Sequence, residues 1–472
     1  MNPPPPPAHR AVLTRTLEHA CDYLDLLDGA SASARASTAE LRARLLRPLP
    51  NGGVDPVRVI DDLVAAADGG LLGNTGGRFF GWVIGGGLPS AVAADWLTSI
   101  WDQNAGLYAC SPFASIVEEA CGAWLKELLG LPPTASFALV TGCQMSHATS
   151  LAAARHRLLA AHGWNVELQG MSGAPRVRVL AADTLHGSIE RAVRLLGMGR
   201  DAIEELPVDD DCRLIPAALA EALARQPAAP TIVILQAGDI NTGAFDPFEE
   251  VVPLAHRQGA WVHVDGAFGL WANASPTHRG NLRGVEHADS WSCDGHKWLN
   301  VPYDCGYAFA ADREAHQASM SLRASYLTHD EDARDELDWN PEFSRRARGI
   351  ATYAALRELG RNGMADLVDR CCRFAADLTS RIGALTGAEL MWGASLNQGL
   401  VRFPDSRPGA TEADHAARTD EIIRRIVQSG EAFFGGTNWR GKRCMRISVC
   451  GWRTNSSDID RAVAAASRAL TA

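Results

Sequence analysis

The chain has 472 residues, of which 46% are hydrophobic, and carries a formal net charge of −10 at pH 7. This length allows a large core and more than one domain, while the acidic balance argues against nucleic acid as the main partner. The sequence has no apolar run of the roughly 20 residues that a membrane-spanning helix needs and no signal-peptide core, so we expect a cytoplasmic protein without membrane contact. The eleven cysteines show no paired CxxC spacing, which favours reduced thiols and argues against a zinc site.

Helical patterns around residues 12–27 and 38–46 mark an N-terminal extension, residues 1–76, that is too small to fold alone. Strand-like and helical runs then alternate through the middle of the chain, which predicts a large α/β domain over residues 77–360 with a mostly parallel sheet. Residues 361–472 read as a smaller α/β domain. Its predicted strands are 398–403 and 444–450, and its predicted helices are 411–429 and 458–469.

The first strand-to-helix connection of the large domain is a candidate anion site. An apolar run at residues 136–140 is followed by the turn Thr-Gly-Cys-Gln at 141–144 and a helical stretch at 148–159. Glycine lets the backbone approach a ligand closely, and the start of a helix favours an anion such as phosphate. A Thr-Gly turn by itself is a weak motif.

Two later strands also end in polar residues. The run at 177–182 is followed by His186, which either lies in a binding site or caps the helix that begins there. The run Trp-Val-His-Val at 261–264 is followed by Asp265, at the carboxyl end where open α/β sheets bind ligands. A carboxylate in this place suits a protonated pyridine nitrogen, although a helix-capping Asp is an alternative interpretation.

Lys297 is the most informative residue. The chain has 45 Lys and Arg residues, and only Lys126, Lys297 and Lys442 are lysines. Guanidinium serves wherever this chain needs only positive charge, whereas a lysine amine can also form a Schiff base. Lys126 fits the solvated edge of a helix and Lys442 fits a basic turn. Lys297 alone lies among His, Trp and small residues, in Asp-Gly-His-Lys-Trp at 294–298.

This segment, together with His-Val-Asp-Gly-Ala at 263–267, resembles the group II amino-acid decarboxylases that depend on pyridoxal 5′-phosphate (PLP), which include the aromatic-amino-acid and glutamate decarboxylases. The resemblance covers roughly residues 77–464. It implies the PLP-dependent transferase fold shared with aspartate aminotransferase, an L-amino acid substrate that is converted to the amine and CO2, and a homodimer in which residues 1–76 wrap the partner subunit.

The resemblance also implies roles for the residues of the two segments. Lys297 corresponds to the Schiff-base lysine, and Asp265 to the partner of the ring nitrogen. Ala267 would lie against one face of the ring. His186 would stack on the other face, near the substrate carboxylate. His296 belongs to the same set of cofactor-binding residues.

The turn at Gly142, Cys143 and Gln144 resembles the family's phosphate loop, but the family has small or hydroxyl residues at the last two positions. A second departure is Asp294, where the family commonly has Asn. Its carboxylate would be repelled by a phosphate, so we expect it to point away or to meet an arginine. A third is residues 238–247, which lack the hydroxyls of the family's Gly-Thr-Thr segment.

Phe79, Phe80 and Trp82 resemble the substrate-side aromatic lining of the family, with ordinary core as the alternative. Residues 342–348 resemble the family's Ser-Arg-Arg segment. An arginine there would meet a carboxylate or a phosphate, within the chain or across the dimer.

Residues 312–340 are polar and without periodicity, which predicts a lid loop. Within it, Tyr-Leu-Thr-His at 326–329 resembles the loop that closes over the decarboxylase active site. There Tyr326 would protonate the carbon that has lost CO2, unless it only anchors the loop. The alternatives for the whole chain are decarboxylation coupled to oxidative deamination, another PLP reaction such as transamination or carbon–carbon lysis, and a non-catalytic relative.

Overall fold

The computed structural model of the protein describes residues 7–322 and 333–471. Its strands form a seven-stranded sheet and a smaller four-stranded sheet. The α-helices are α1 (Pro7–Leu26), α2 (Thr38–Leu45), α3 (Pro56–Ala67), α4 (Pro89–Trp101), α5 (Pro112–Leu128), α6 (Cys143–Ala160), α7 (Val166–Gln169), α8 (Gly187–Leu195), α9 (Pro216–Arg225), α10 (Phe248–His256), α11 (Arg313–Met320), α12 (Gly349–Gly383), α13 (Glu412–Ser429) and α14 (Ser456–Thr471). The strands are β1 (Ser136–Val140), β2 (Arg178–Ala182), β3 (Ile203–Leu206), β4 (Thr231–Gln236), β5 (Trp261–Asp265), β6 (Ser290–Asp294), β7 (Gly306–Ala310), β8 (Glu389–Ser395), β9 (Gln398–Arg402), β10 (Gly435–Trp439) and β11 (Lys442–Ser448).

The large sheet has the strand order β1-β7-β6-β5-β4-β2-β3. Only β7 runs antiparallel to its neighbours, β1 and β6; the other pairs are parallel. Both β5 and β6 are buried along their whole length, as expected of strands covered by helices on both faces. The predicted α/β class with a large, mixed, mostly parallel sheet is confirmed.

The carboxyl ends of several strands meet at one edge of this sheet. Asp265 ends β5 and is paired in register with Gln236 of β4 and Ser292 of β6. Since β1 and β6 both run antiparallel to β7, the end of β1 at Val140 lies at this same edge. The parallel arrangement therefore brings together chain segments that are far apart in sequence.

The small sheet, β10-β11-β9-β8, is antiparallel throughout and confirms the predicted smaller C-terminal domain. Its helices α13 and α14 and its strands β9 and β11 begin within two residues of the predicted starts. Helix α12 contacts α4 and α5 of the large domain as well as β8, β9 and α14 of the small one, so it joins the two domains. The helix is interrupted at Gly360, which has φ 58° and ψ −173°.

The N-terminal extension contains the two predicted helices as α1 and α2, and a third that the sequence analysis missed. The signal for α3 was present, because Asp55 accepts hydrogen bonds from the amides of Val57 and Arg58 while Pro56 takes the first helical position. No residue of α2 or α3 is buried in the single chain. These helices therefore lack the packing that stabilises helices in most folded domains.

The predicted lid loop is wrong for residues 313–320, which form α11. Asp312 caps this helix by accepting a hydrogen bond from the amide of Ala315. Helix propensity and the cap outweigh the absence of a clear apolar face. Tyr326 and its segment 326–329 lie outside the described residues.

The predicted arginine contacts are with carboxylates of the same chain. Arg345 is buried and donates to Glu118 at 3.0 Å, and Arg346 pairs with Asp95 at 2.7 Å. Both pairs tie the segment after the lid to the helices α4 and α5.

Across the described ranges, the helices are all too short or too polar to span a bilayer.

Candidate active site

The carboxylate of Asp265 lies at the edge of the large sheet where β1, β4, β5 and β6 end. It is almost fully buried, and its Oδ1 accepts a hydrogen bond of 3.1 Å from the amide of Ala267. This contact closes a tight Asx-type turn after β5, so Asp265 does not cap a helix. Burial by itself raises the pKa of Asp265, but the neighbouring His147, His186 and Lys297 favour its anionic form and lower the pKa by more, so the net shift is downward. Asp265 is therefore an anion at neutral pH.

Lys297 lies in the turn that follows β6, and Asn300 fixes this turn. The Asn300 side chain donates to the carbonyls of Trp298 at 2.8 Å and Cys450 at 3.1 Å, and accepts from the amide of Trp452 at 3.0 Å. Its own backbone is left-handed, with φ 56°. One buried amide therefore holds the lysine turn against the end of the small domain. Sequence reasoning did not assign this role.

The amine of Lys297 pairs with Asp294, three residues earlier, at 3.2 Å. Burial lowers the pKa of the Lys297 ammonium, but the negative charges around it, Asp294 foremost, raise it by more, so the net shift is upward. The expectation that Asp294 points away or meets an arginine was wrong. The strand end of β6 aims this carboxylate at the lysine of the following turn, which supplies the opposite charge instead.

Asp294 also reaches the predicted phosphate loop. Its Oδ1 accepts a hydrogen bond of 2.6 Å from the amide of Cys143, the first residue of α6. A Cβ added to Gly142 would lie 3.5 Å from the His296 ring and 3.6 Å from Asp294, so the loop faces these two residues. Gln144 is half-buried in the first turn of the same helix. The start of α6, Asp294 and Lys297 thus form one continuous group.

His186 caps α8, as the alternative interpretation proposed, since its Nδ1 accepts from the amide of Ser188 at 3.3 Å. Burial lowers the pKa of His186, and the charges of Asp265 and Lys297 act on it in opposite directions. His186 is therefore neutral at neutral pH, and its ring lies within electrostatic reach of the site. Stacking on a cofactor ring stays a prediction.

Arg446 in β11 brings a positive charge to His186 that the sequence analysis did not identify. It is half-buried, and its Nη1 donates to the carbonyl of Ile240 at 3.4 Å. Burial lowers the pKa of Arg446 to about 10, partly offset by Asp239, so the guanidinium stays charged at neutral pH. The strand position gave no signal of this role, because β11 reaches the site only through the packing of the two domains.

Asp239 has a structural role in the segment that departs from the family. Its Oδ1 accepts from the amides of Asn241 and Thr242 and from the Thr242 hydroxyl, all within 2.9 Å. The segment closes on its own carboxylate, so the hydroxyls that the family has there are not needed to hold this turn.

His296 is held by a backbone carbonyl and by an aromatic ring. Its Nδ1 lies 3.1 Å from the carbonyl of Cys305, and its ring stacks on Tyr303 with centroids 4.3 Å apart. Its Nε2 lies 3.5 Å from Asp294. Burial lowers the pKa of His296 despite that carboxylate. A neutral imidazole with a fixed ring plane therefore flanks the lysine.

The predicted aromatic lining divides into two parts. Phe80 is fully buried against Phe434, so the core interpretation applies to it. Phe79 stacks on Phe433 with centroids 4.5 Å apart, and Trp82, half exposed, lies 5.3 Å from the same ring. The chain after Trp82 contacts the lysine turn, since the Gly85 amide donates to the His296 carbonyl at 3.4 Å.

Two buried histidines beside Asp265 were also missed. His147 lies one helical turn after Cys143, and His263 lies two residues before Asp265 on β5. Both spacings place a residue on the same face of its element as the predicted ligand-binding residue, which was the available signal.

These residues fit PLP. A half-buried lysine amine can hold the aldehyde, and an anionic carboxylate at a strand end can hold a protonated ring nitrogen. The start of α6 can hold a phosphate through amides other than that of Cys143, which donates to Asp294. The three groups belong to one edge of one sheet.

Comparison with known proteins supports this fit. Residues 78–404 match the model of the pyridoxal-dependent decarboxylase conserved domain, more than half of the chain. The L-2,4-diaminobutyrate decarboxylase of Rhizobium meliloti is 34% identical over 378 residues, covering 79% of this chain and 73% of that protein. The aromatic-L-amino-acid decarboxylase of Bacillus atrophaeus is 24% identical over 445 residues, covering 93% and 90%.

Solved structures share the fold. The crystal structure of Oryza sativa TDC with PLP and tryptamine superposes with a TM-score of 0.92 at 23% identity, covering 100% of this chain and 99% of that one. Mouse CSAD gives a TM-score of 0.91 at 21% identity, covering 98% and 99%. The motif, the fold and the domain match agree, and the chain belongs to the family of pyridoxal-dependent decarboxylases.

Proposed function

We propose that this enzyme decarboxylates an L-amino acid to the corresponding amine, with Lys297 as the covalent anchor of PLP and Asp265 as the partner of its ring nitrogen. The observation that carries the assignment is the meeting of Asp265, Lys297 and the start of α6 at one sheet edge. PLP held by these residues would supply an electron sink for decarboxylation, provided that its ring nitrogen is protonated. The residues of the chain bind and orient the cofactor and the substrate, and they supply protons.

The proposal includes the remaining predicted cofactor contacts. In this proposal Gly142 and Gln144 offer backbone amides to the phosphate at the start of α6, where the helix dipole favours a dianion, while the predicted contact of Cys143 competes with the hydrogen bond from its amide to Asp294. His186, neutral and fixed by its cap, would cover one face of a bound ring, and Ala267, beside Asp265, would lie against the other.

The substrate end is formed by Arg446 and the aromatic group of Phe79, Trp82 and Phe433. Arg446 carries the positive charge that suits the carboxylate of an amino acid. The aromatic group, whose segment reaches the lysine turn at Gly85, suits an apolar or aromatic side chain.

The test is to incubate the PLP-loaded enzyme with single L-amino acids and to identify products by mass spectrometry. We expect one or a few amines with matching CO2 release, and Lys297→Ala gives the background. A keto acid product with formation of pyridoxamine phosphate would overturn the proposal in favour of transamination.

We also propose a homodimer. Supporting this, the single chain exposes large apolar side chains on α1, α3, α4 and the start of α5, among them Leu17, Leu63, Ile100 and Phe113. Exposed apolar surface of this extent is typical of an interface.

A cytoplasmic location is supported by the cysteines, all eleven of which are free.

A further inference from the structure

A buried row of hydrogen-bonding side chains lies behind Asp265. The Nε2 atom of His147 is 3.6 Å from Asp265 Oδ2, and His147 Nδ1 is 3.0 Å from His263 Nε2. His263 Nδ1 is 2.8 Å from the hydroxyl of Ser290. Both histidines are fully buried. Such polar groups are costly in a core unless their partners are placed to satisfy them.

The donors and acceptors along this row can be assigned from its far end, at Trp261. The indole nitrogen of Trp261 is 2.8 Å from the Ser290 hydroxyl, and an indole can only donate. The Ser290 oxygen therefore accepts from Trp261, and His263 Nδ1, 2.8 Å away, is the acceptor within reach of the Ser290 proton. Burial lowers the pKa of His147 and lowers that of His263 well below its usual value, so both rings are neutral and each has one donor and one acceptor.

The protons then follow in sequence. With Nδ1 accepting from Ser290, His263 carries its proton on Nε2 and donates it to His147 Nδ1. His147 consequently carries its proton on Nε2, the atom that faces Asp265 Oδ2. The hydroxyl of Ser292, 3.4 Å from His263 Nε2, is compatible with this direction because its oxygen accepts.

The two oxygens of Asp265 are thus approached by N–H groups from different elements. Oδ1 faces the amide of Ala267 and Oδ2 faces His147 on α6. The hydrogen bond to Oδ1 and the N–H placed 3.6 Å from Oδ2 both favour the anionic form of Asp265 in this rotamer. Cys143, 3.4 Å from His147 Nε2, is no competing anion, because burial raises the pKa of its thiol well above the usual range.

We propose that Trp261, Ser290, His263 and His147 form a positioning relay that holds Asp265 as an oriented anion and thereby keeps the ring nitrogen of PLP protonated. This inference rests on the proposed pairing of Asp265 with that nitrogen. The row meets the site at His147, the residue that faces Asp265, so its members act through Asp265.

The test uses holoenzyme loaded with PLP that carries ¹⁵N in the ring, because the ¹⁵N chemical shift separates protonated from unprotonated pyridine. We expect a protonated nitrogen in the wild type, an unprotonated one in Asp265→Ala, and a clear displacement towards the unprotonated shift in His147→Leu. His147→Gln keeps an N–H near the Nε2 position and should restore most of the wild-type shift.

Two further variants separate the relay from simple packing. Ser290→Ala removes the hydroxyl that orients His263 and should displace the shift in the same direction, by less; it also serves if His147→Leu does not fold. His316→Gln alters a buried histidine that binds Ser136 and the Trp339 carbonyl instead, and should leave the shift unchanged.

The outcomes are distinguishable. If Asp265→Ala and the wild type give the same shift, the pairing of Asp265 with the ring nitrogen fails. If Asp265→Ala loses the proton while His147→Leu and Ser290→Ala keep the wild-type shift, the relay alone fails. Cys143, His147 and Asp265 also offer three ligand atoms within 4.8 Å of one another, so stoichiometric metal in the purified enzyme would overturn the relay in favour of a metal site.

Discussion

The amine of Lys297 lies 3.2 Å from Oδ2 of Asp294, and the other oxygen of the same carboxylate accepts from the amide of Cys143 at 2.6 Å. One acidic side chain thus links the lysine to the start of α6. Its charge raises the pKa of the lysine, and only the unprotonated amine is a nucleophile.

Asp294→Asn should therefore lower the pKa of Lys297 and move its labelling by an amine-specific reagent to lower pH. The measurement is the pH profile of labelling after removal of PLP with hydroxylamine, read by peptide mapping. Lys126 and Lys442 serve as internal controls, since the structure gives neither a contact with Asp294. Unchanged profiles for Lys297 would show that Asp294 does not control its charge.

Lys297→Ala should lose the covalent PLP linkage and nearly all turnover, because the other two lysines lie elsewhere. Lys126 donates to the carbonyls of Pro133 and Ala135, and Lys442 begins β11 on the surface. Borohydride reduction followed by peptide mapping tests this in the wild type, and Lys442→Ala is the matched variant with activity retained. Label on either of the other lysines would contradict the assignment.

Stability should depend on the protonation of Glu336. This carboxyl is buried beside Arg334 and near Glu118, and burial raises its pKa to about 8 from an ordinary value of 4.5. Because the folded state holds the proton more tightly, the stabilisation is complete below pH 4.5 and is lost as the pH rises to about 8. The free energy of unfolding should fall by up to about 1.4 kcal/mol per pH unit over this range.

Glu336→Gln imitates the protonated group and should flatten this part of the profile, measured by urea unfolding between pH 5 and about pH 9. Glu221→Gln changes an exposed glutamate and should leave the wild-type slope. Equal slopes in all three proteins would show that Glu336 ionises normally.

If the exposed face of α4 lies in a homodimer interface, a charge placed on it should dissociate the dimer. Ile100→Glu should convert the dimer to monomers at micromolar concentration, because burying an unpaired carboxylate in an apolar interface is costly. Leu168→Glu places the same charge on α7, where the side chain is 84% exposed, and should remain dimeric. Light scattering reads the mass, and a monomeric wild type would refute the interface.

The product should depend on Tyr326, a prediction from the sequence resemblance. A positioned phenol favours protonation of the carbon that loses CO2, and a placed acid typically gains roughly 10²–10⁴-fold. The wild type should release amine with little peroxide, and Tyr326→Phe should lose amine and gain aldehyde and peroxide. Equal amine rates would exclude Tyr326 as the acid, and aldehyde from the wild type would favour oxidative deamination.

The sequence by itself determined the chemistry of single segments. A rare lysine in Asp-Gly-His-Lys-Trp and an aspartate at the end of an apolar strand are local features, and the alternating runs around them fix an α/β class. Strand and helix periodicity is encoded over a few residues, so β1, β5, β9 and α14 were predicted nearly in full.

Only the tertiary structure decided which side chains meet. The contact of the Cys143 amide with Asp294 joins residues 151 positions apart, and that of His147 with His263 joins residues 116 apart. Arg446 comes close to His186 from the small domain. Local periodicity carries no information about such distances. They arise because parallel strands end at a common edge and because α12 and Asn300 tie the second domain to it, so the counter-ion of Lys297 and the groups behind Asp265 follow from packing.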